Sequence, residues 1–222
     1  MKYRILKPAF PTVLIALSVA LATLPVTASA EDDPWQIRFA VVSMDPSGSS
    51  VIVPETGERI SYESSNGLGF AIDLEYRVSR RFGIDFGVIS SSPGIEVAVN
   101  AQPLSVSASA DITITPVYAA LNIHLTPDSR FDLYIGPMLA YVIYNSFELV
   151  AGPGLREEFS TQNGLGIGAV LGLDIGLGSG RWSINGAIRY LDTTLEASSS
   201  DGGVGKTDID PTILSVGVGY RF

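Results

Sequence analysis

The sequence contains no cysteine and only one histidine, and both scarcities limit the chemistry available to the chain. Without cysteine there is no disulfide framework and no thiolate nucleophile. The single His124 lacks a second histidine or a cysteine with which to hold a metal, and no motif marks a nucleophile beside it. No glycine-rich loop precedes a helix, as a phosphate site would require. We therefore expect no catalytic residue, no metal site and no cofactor.

Basic residues are also scarce, with 14 Lys+Arg against 23 Asp+Glu in 222 residues. Three of the basic residues, Lys2, Arg4 and Lys7, precede an apolar stretch, and Ala28-Ser29-Ala30 follows that stretch. This order is typical of an export signal, so we predict a signal peptide over residues 1–30. The remaining residues, 31–222, then carry 11 Lys+Arg against 23 Asp+Glu. A nucleic-acid partner is not expected for a chain of this charge.

Outside the signal there is no apolar run long enough to cross a membrane as a helix. Residues 163–177 alternate instead: one face carries Leu165, Ile167, Ala169, Leu171, Leu173, Ile175 and Leu177, and the other is mostly glycine. A broad apolar face favours contact with lipid, whereas a face of glycines suits the crowded interior of a small closed barrel. This stretch therefore predicts a strand that lies between lipid and a narrow lumen.

The same alternation recurs in seven other segments. The predicted strands cover 35–44, 67–78, 82–88, 112–125, 131–147, 163–177, 181–195 and 214–222. Three short turns at 79–81, 126–130 and 178–180 alternate with four long polar loops at 45–66, 90–110, 148–162 and 196–208. The pattern predicts an all-β fold, an eight-stranded antiparallel up-and-down transmembrane β-barrel that occupies 31–222 as one domain, with the short turns in the periplasm. Pro137 suggests a bulge, and 154–159 a short helical turn.

The inward face of these strands carries the candidate site. The predicted lumen-lining residues are Arg38, Asp73, Glu75, Arg77, Asp85, Asn122, His124, Asp132, Asp174, Asn185, Arg189 and Arg221. Because both signs of charge are present, two interpretations stay open. The groups either pair across the lumen and fill it, or line a path for an ion or a small solute.

Three segments carry a resemblance to a known family: LNIHLTPDSRFDLYIGPMLAY at 121–141, RYLDTT at 189–194 and DIDPTILSVGVGYRF at 208–222. They resemble the OmpW family of small outer-membrane proteins of Gram-negative bacteria. The resemblance implies a monomer in the cell outer membrane, with a narrow channel that takes up small hydrophobic molecules and, in some members, a role as colicin receptor. Tyr220 and Phe222 look like the terminal aromatic signal read by the barrel-assembly machinery.

Two functions follow as expectations. The first is a porin-like barrel whose channel or binding pocket serves passive transport of small, apolar solutes, with outer-membrane lipid around it. The second is a pore-less structural or surface-interaction barrel of the adhesin, phage-receptor or colicin-receptor type. A lipid-modifying enzyme is a weaker third, because His124 lies at the end of the barrel opposite the outer leaflet. Pro116 and Pro137 remove ladder donors on the fourth and fifth strands and suggest a lateral exit between them.

Overall fold

The computed structural model describes residues 33–48, 51–52, 59–101, 104–127, 129–151, 155–178, 180–199 and 204–222. The predicted signal peptide lies outside the described residues. Within those ranges no helix is long and apolar enough to span a membrane. The strands are β1 Trp35–Gly48, β2 Val51–Ile52, β3 Arg59–Ser65, β4 Gly67–Arg77, β5 Phe82–Ser91, β6 Gly94–Ala101, β7 Leu104–Asp111, β8 Ile114–His124, β9 Phe131–Tyr144, β10 Phe147–Ala151, β11 Leu155–Gln162, β12 Gly164–Gly176, β13 Trp182–Ser199 and β14 Val204–Arg221.

Eight of these strands close into a barrel, which confirms the predicted fold class. The order around the wall is β1, β4, β5, β8, β9, β12, β13 and β14, and β14 pairs with β1 to complete the ring. Every pairing is antiparallel, and neighbours in the ring are neighbours along the chain once the extra strands are set aside. We call the end at which short connections join β4 to β5, β8 to β9 and β12 to β13 the turn end, and the opposite end the loop end.

Alternation along each strand divides the side chains as predicted. Outward residues form an exposed apolar belt, in which Leu68 is 76% and Leu165 is 73% exposed, while their inward neighbours are buried. An exposed belt of this kind is stable only in contact with lipid, because in water it would leave a large apolar surface hydrated. Tyr76 is one outward residue that is nevertheless buried, because the Trp35 ring covers it at a centroid distance of 4.7 Å.

The long connections are not loops throughout, and this part of the prediction was wrong. Strands β3, β6, β7, β10 and β11 lie within them, and the far halves of β13 and β14 pair from Thr193 with Ile209 to Ser198 with Val204. They continue the wall beyond the apolar belt, because ladder hydrogen bonds extend readily from a paired strand. The predicted helical turn is also wrong over 155–159, which belongs to β11. There Phe159 pairs with Phe147 on β10, with stacked rings 5.3 Å apart.

The prolines interrupt the ladder without adding a residue. Between β8 and β9 the pairs Ala120 with Met138 and Ile123 with Ile135 keep one register on both sides of Pro137, so the predicted bulge is absent there. Pro116 pairs with Val142 on β9, and the ladder break beside it lies on the β5 side instead.

A bulge does occur between β12 and β13, at the loop end. Gln162 on β11 pairs with Glu196 on β13, and Ile167 on β12 pairs with Asp192. Four residues, 163–166, therefore oppose the three residues 193–195, which is the arrangement of a β-bulge.

Candidate functional site

The inward side chains divide the barrel interior into two zones along its axis. The zone toward the loop end, here called the apolar half, is formed by Val42, Met44, Ile89, Ile112, Ile114, Met138, Val142, Leu191, Leu195, Ile209 and Ile213. The zone toward the turn end, here called the charged layer, is formed by Arg38, Asp73, Glu75, Arg77, Asp85, His124, Asp132, Asp174 and Arg189. The division follows each strand: on β1, for example, Arg38 lies nearer the turn end than Val42 and Met44.

Glu75 on β4 lies at the centre of the charged layer. Its carboxylate accepts a hydrogen bond from Arg38 on β1, and its Oε1 lies 2.6 Å from Nε2 of His124 on β8 and 3.4 Å from Nε of Arg77. The other ring nitrogen of His124, Nδ1, lies 3.1 Å from Oδ1 of Asp132 on β9. An imidazole donates to two carboxylates only when both ring nitrogens carry protons, so this geometry fits the charged form of His124.

Two arginines extend these contacts around the wall. Arg77 donates from Nη2 to Oδ2 of Asp132 at 2.6 Å. Arg38 donates to both oxygens of Asp174 on β12, from Nη2 at 2.7 Å and from Nε at 3.3 Å, and Asn185 on β13 donates to the same carboxylate at 2.9 Å. Bidentate arginine–carboxylate pairs of this kind are geometrically specific, which fixes the relative position of strands on opposite sides of the lumen.

A second group of contacts lies one residue pair closer to the apolar half. Arg189 on β13 donates to Asp73 on β4 at 2.9 Å and to the Ser215 hydroxyl on β14 at 2.9 Å, and the Tyr118 hydroxyl on β8 donates to Asp73. The guanidinium of Arg189 lies 5.4 Å from the centroid of the Tyr118 ring. Together the two groups link seven of the eight barrel strands, and Asp85 supplies the eighth, β5.

Asp85 is the weakly held member of the charged layer. Both of its oxygens are buried and accept no hydrogen bond from the described residues, and the nearest cationic atom is Nη1 of Arg38 at 3.9 Å. Neither polar atom of the Asn122 amide has a hydrogen-bond partner among the described residues either. A buried carboxylate without a donor is unfavourable, so Asp85 contributes less to stability than Glu75 or Asp174.

The described interior has no opening the size of a water molecule at the charged layer. Eleven of the twelve predicted lumen-lining residues are between 0% and 4% exposed, including Asn122 and Asn185. Arg221 is the exception: it lies half-buried at the turn end and donates to Gln36 at 3.4 Å. The structure thus brings eleven of these side chains into one packed layer, while their part in lining a solute path stays a prediction.

Two tyrosines of this layer were not recognised as site residues in the sequence. Tyr134 on β9 lies under the Arg38 guanidinium, 5.1 Å from its carbon, and accepts a hydrogen bond from Asn185. Each tyrosine lies over a glycine of the adjacent strand: Tyr134 pairs with Gly172, and Tyr118 with Gly87. The signal available in the sequence was therefore the inward glycines, which leave room for an aromatic ring on the neighbouring strand.

At the turn end the charged layer is capped by a cavity of about 360 Å³ open to solvent. It is lined on one side by Gln36, Arg181 and Arg221, and at its base by Asp132 and Asp174. Both aspartates are already paired with buried arginines. The cavity therefore ends at the charged layer and does not continue into the apolar half in the described structure.

Comparisons with known proteins agree with this architecture. A family model described as outer membrane protein beta-barrel domain matches residues 14–222. The uncharacterised outer-membrane protein y4mB of Sinorhizobium fredii is 25% identical over 217 residues, covering 93% of this chain and 90% of that protein. The crystal structure of OprG from Pseudomonas aeruginosa superimposes with a TM-score of 0.64 at 21% identity, over 87% of this chain and 97% of OprG. The solid-state NMR structure of AlkL in lipid bilayers gives 0.54 at 20% identity, over 88% and 93%.

At these identities the solved structures establish the fold alone, whereas the family model covers every described residue. The closed eight-stranded wall, the exposed apolar belt and the family match lead to one assignment. The chain belongs to the outer membrane protein beta-barrel domain family, and its eight-stranded barrel is embedded in the outer membrane.

Proposed function

We propose that this barrel admits small apolar molecules from the loop end into its apolar half and that the charged layer stops them from passing to the turn end. The observation that carries the proposal is the division of one lumen into an apolar zone and a closed charged zone. An apolar solute gains by leaving water for the apolar half, but it would have to separate paired charges to go further.

Entry requires movement of the side chains that fill the apolar half. Met44 and Met138 are buried there among branched aliphatic residues. Methionine has three rotatable bonds and no branch, so it repacks around a guest more readily than isoleucine or valine. The apolar half would then act as a binding pocket that opens when a solute enters.

Release into lipid fits this arrangement better than release into the periplasm, and the bulge between β12 and β13 is the exit that we propose. There 163–166 and 193–195 lie side by side without a continuous ladder, next to buried Leu191 and Leu195 of the apolar half. The alternative exit between β8 and β9 has an uninterrupted register on both sides of Pro137.

Two matched disulfides distinguish these exits. Cysteines at Ile167 and Asp192 join β12 to β13 beside the bulge, and cysteines at Ala119 and Leu139 join β8 to β9. Directly paired antiparallel residues lie close enough for a disulfide. Uptake of an apolar fluorescent probe is measured in Gram-negative cells that express each variant, oxidised and reduced. We expect the first disulfide alone to slow uptake, and the reverse result would place the exit between β8 and β9.

A pore-less surface-interaction barrel is the second candidate, because buried side chains fill both the apolar half and the charged layer in the described part of the chain. The discriminating variant is Val142→Trp, which adds a large ring to the apolar half. If the apolar half binds solutes, this variant loses probe uptake while it still folds, as judged by its resistance to urea. A pore-less barrel predicts no uptake above that of cells without the protein, and therefore no change.

Neither candidate includes a catalytic step. Both ring nitrogens of His124 face carboxylates that are themselves paired with arginines, which leaves no free nitrogen to act as a general base. Export through an N-terminal signal peptide and recognition of Tyr220 and Phe222 by the barrel-assembly machinery remain part of the proposal.

A further inference from the structure

The lipid-facing wall has a continuous apolar groove across β13, β14, β1 and β4. Its part nearer the turn end, about 450 Å³, is lined by Ile37, Phe39, Trp182, Val218 and Tyr220. The next part, about 420 Å³, again includes Phe39 and Val218 and continues past Val41, Phe70 and Val216. From Tyr220 to Val216 the groove runs about 13 Å along the strand.

A cationic group lies where this groove meets the turn end. Arg181 directly precedes the groove residue Trp182, its side chain is 54% exposed, and its Nη2 lies 3.0 Å from Oδ1 of Asp33. A hydrogen bond to the Tyr220 hydroxyl and the charge of Asp33 hold the pKa of Arg181 above its ordinary value. The guanidinium has five N–H donors, so these two partners leave others available.

The positive charge at the turn end and the apolar surface of the groove are together complementary to one class of ligand. Five arginines are present at the turn end: Arg80, Arg81, Arg130, Arg181 and Arg221. Trp182 and Tyr220 pack with ring centroids 4.9 Å apart at the same depth as Arg181. Aromatic rings of this type lie at the level of lipid headgroups, and basic side chains beside them attract anionic headgroups.

We propose that this groove is a binding site for one anionic glycerophospholipid of the periplasmic leaflet, with an acyl chain along Phe39 and Val218 and the phosphate on Arg181. Arginine suits this role because its planar guanidinium binds phosphate through two parallel hydrogen bonds. Phe39 and Val218 face each other across the β1–β14 pairing, so an acyl chain that rests on them contacts both strands at the seam where the ring closes.

Tryptophan fluorescence tests the site directly, because the chain has two tryptophans and Trp182 lines the groove. The Trp35→Phe variant leaves Trp182 as the only tryptophan. In this background the barrel is placed in vesicles that contain phosphatidylglycerol or phosphatidylcholine with brominated acyl chains, which quench a tryptophan on contact. We expect the brominated phosphatidylglycerol to bind beside Trp182 about fivefold more strongly than the brominated phosphatidylcholine.

Three further variants separate the contribution of the lipid headgroup from that of the acyl chain. Arg181→Gln is expected to abolish the preference for phosphatidylglycerol over phosphatidylcholine. Arg81→Gln removes an arginine of the turn end that lies away from the groove, and this variant is expected to keep the preference. Val218→Phe, which narrows the groove without changing charge, is expected to reduce it. The proposal would be overturned if both lipids quenched Trp182 equally, or if Arg181→Gln and Arg81→Gln lowered the preference for phosphatidylglycerol by the same amount. Either result would mean that the barrel has only ordinary boundary lipid and a diffuse positive charge at the turn end. Quenching in vesicles made only of brominated lipid confirms that each variant is inserted.

Discussion

Arg38 and Asp174 are joined across the barrel interior by two contacts, Nη2 to Oδ2 at 2.7 Å and Nε to Oδ1 at 3.3 Å, although 136 residues separate them in the chain. The strands that carry them, β1 and β12, are three places apart around the wall. The same guanidinium contacts Glu75 on the other side, so one side chain holds three strands in place. The charged layer is therefore both a closure of the lumen and a brace for the wall.

Among the described residues, Glu75 has the most ionic partners of the carboxylates in this layer and Asp85 accepts no hydrogen bond, so the two should respond differently when each is changed to its amide. Glu75→Gln leaves Arg38, Arg77 and His124 without their shared anion, and breaking a buried ion pair in this way costs about 3–5 kcal/mol. Asp85→Asn removes a buried charge that accepts no hydrogen bond from the described residues, so we expect a change within about 1 kcal/mol, or a gain. Urea unfolding in lipid vesicles measures both; an equal loss in the two variants would contradict the assigned contacts.

The lipid face should reject charge. Leu171 points outward near the middle of β12 and is exposed, and Leu171→Arg is expected to lower the free energy of unfolding by about 2–4 kcal/mol because the charge enters hydrocarbon. The control is Tyr190→Arg, an exposed outward position farther toward the loop end, where the penalty is expected to be smaller because it falls toward the interface. If Tyr190→Arg lowered the free energy of unfolding more than Leu171→Arg does, Tyr190 would lie deeper in the membrane than Leu171, which would contradict the proposed depths.

Gly172 should be intolerant of any side chain. A Cβ there would lie 2.1 Å from the Tyr134 ring, which Arg38 and Asn185 hold in place, so Gly172→Ala is expected to cost about 1–3 kcal/mol by overpacking. Gly186 on β13 is the matched control, since a Cβ there would meet its nearest atom at 3.9 Å. The double variant Gly172→Ala with Tyr134→Leu should lose less free energy of unfolding than the sum of the two single variants. If the two losses were strictly additive, the residues at 172 and 134 would not be in contact.

The alternation of short and long connections fixes the expected orientation. Ser146, between β9 and β10, and Ser129, between β8 and β9, are both exposed, at the loop end and the turn end respectively. Single cysteines at these positions are labelled on intact cells with a reagent that does not cross the outer membrane. We expect Ser146→Cys to react and Ser129→Cys to be spared until the cells are lysed, and the opposite labelling would reverse the barrel in the membrane.

Much of this architecture could be read from the sequence, because a strand in a small barrel repeats its environment every second residue. The run at 163–177 predicted a strand within one residue at each end of the observed β12, and the inward charges were found by the same count. The strands inside the connections were missed because their pairing partners are other connections. β6 and β7 do carry an alternating apolar signal, through Ile95, Val97 and Val99 and through Leu104, Val106, Ala108 and Ala110, but the serines of β7 and the Gly and Pro residues around both runs favoured a loop. β11, with the sequence LREEFSTQ, is too polar to show such a signal.

The partners within the charged layer could not be read in this way. Strand alternation predicts that Arg38, Asp85 and Asp174 all face the interior. It does not predict that Arg38 pairs closely with Asp174 while Asp85 lies 3.9 Å away. That choice depends on the stagger of eight strands around the ring. The bulge that sets the stagger beyond Ile167 lies in 163–166, which reads as regular alternation.

The closure of the lumen by the charged layer is the central claim, and the electrical conductance of the purified barrel in a planar lipid bilayer tests it most directly. Because the buried arginines and carboxylates leave no water-sized opening, we predict no stable ion-conducting steps for the wild-type protein in neutral buffer. Glu75→Gln, which breaks the central contacts, should conduct if it remains folded. Long-lived openings of constant size in the wild type, unchanged by Glu75→Gln, would contradict a closed charged layer.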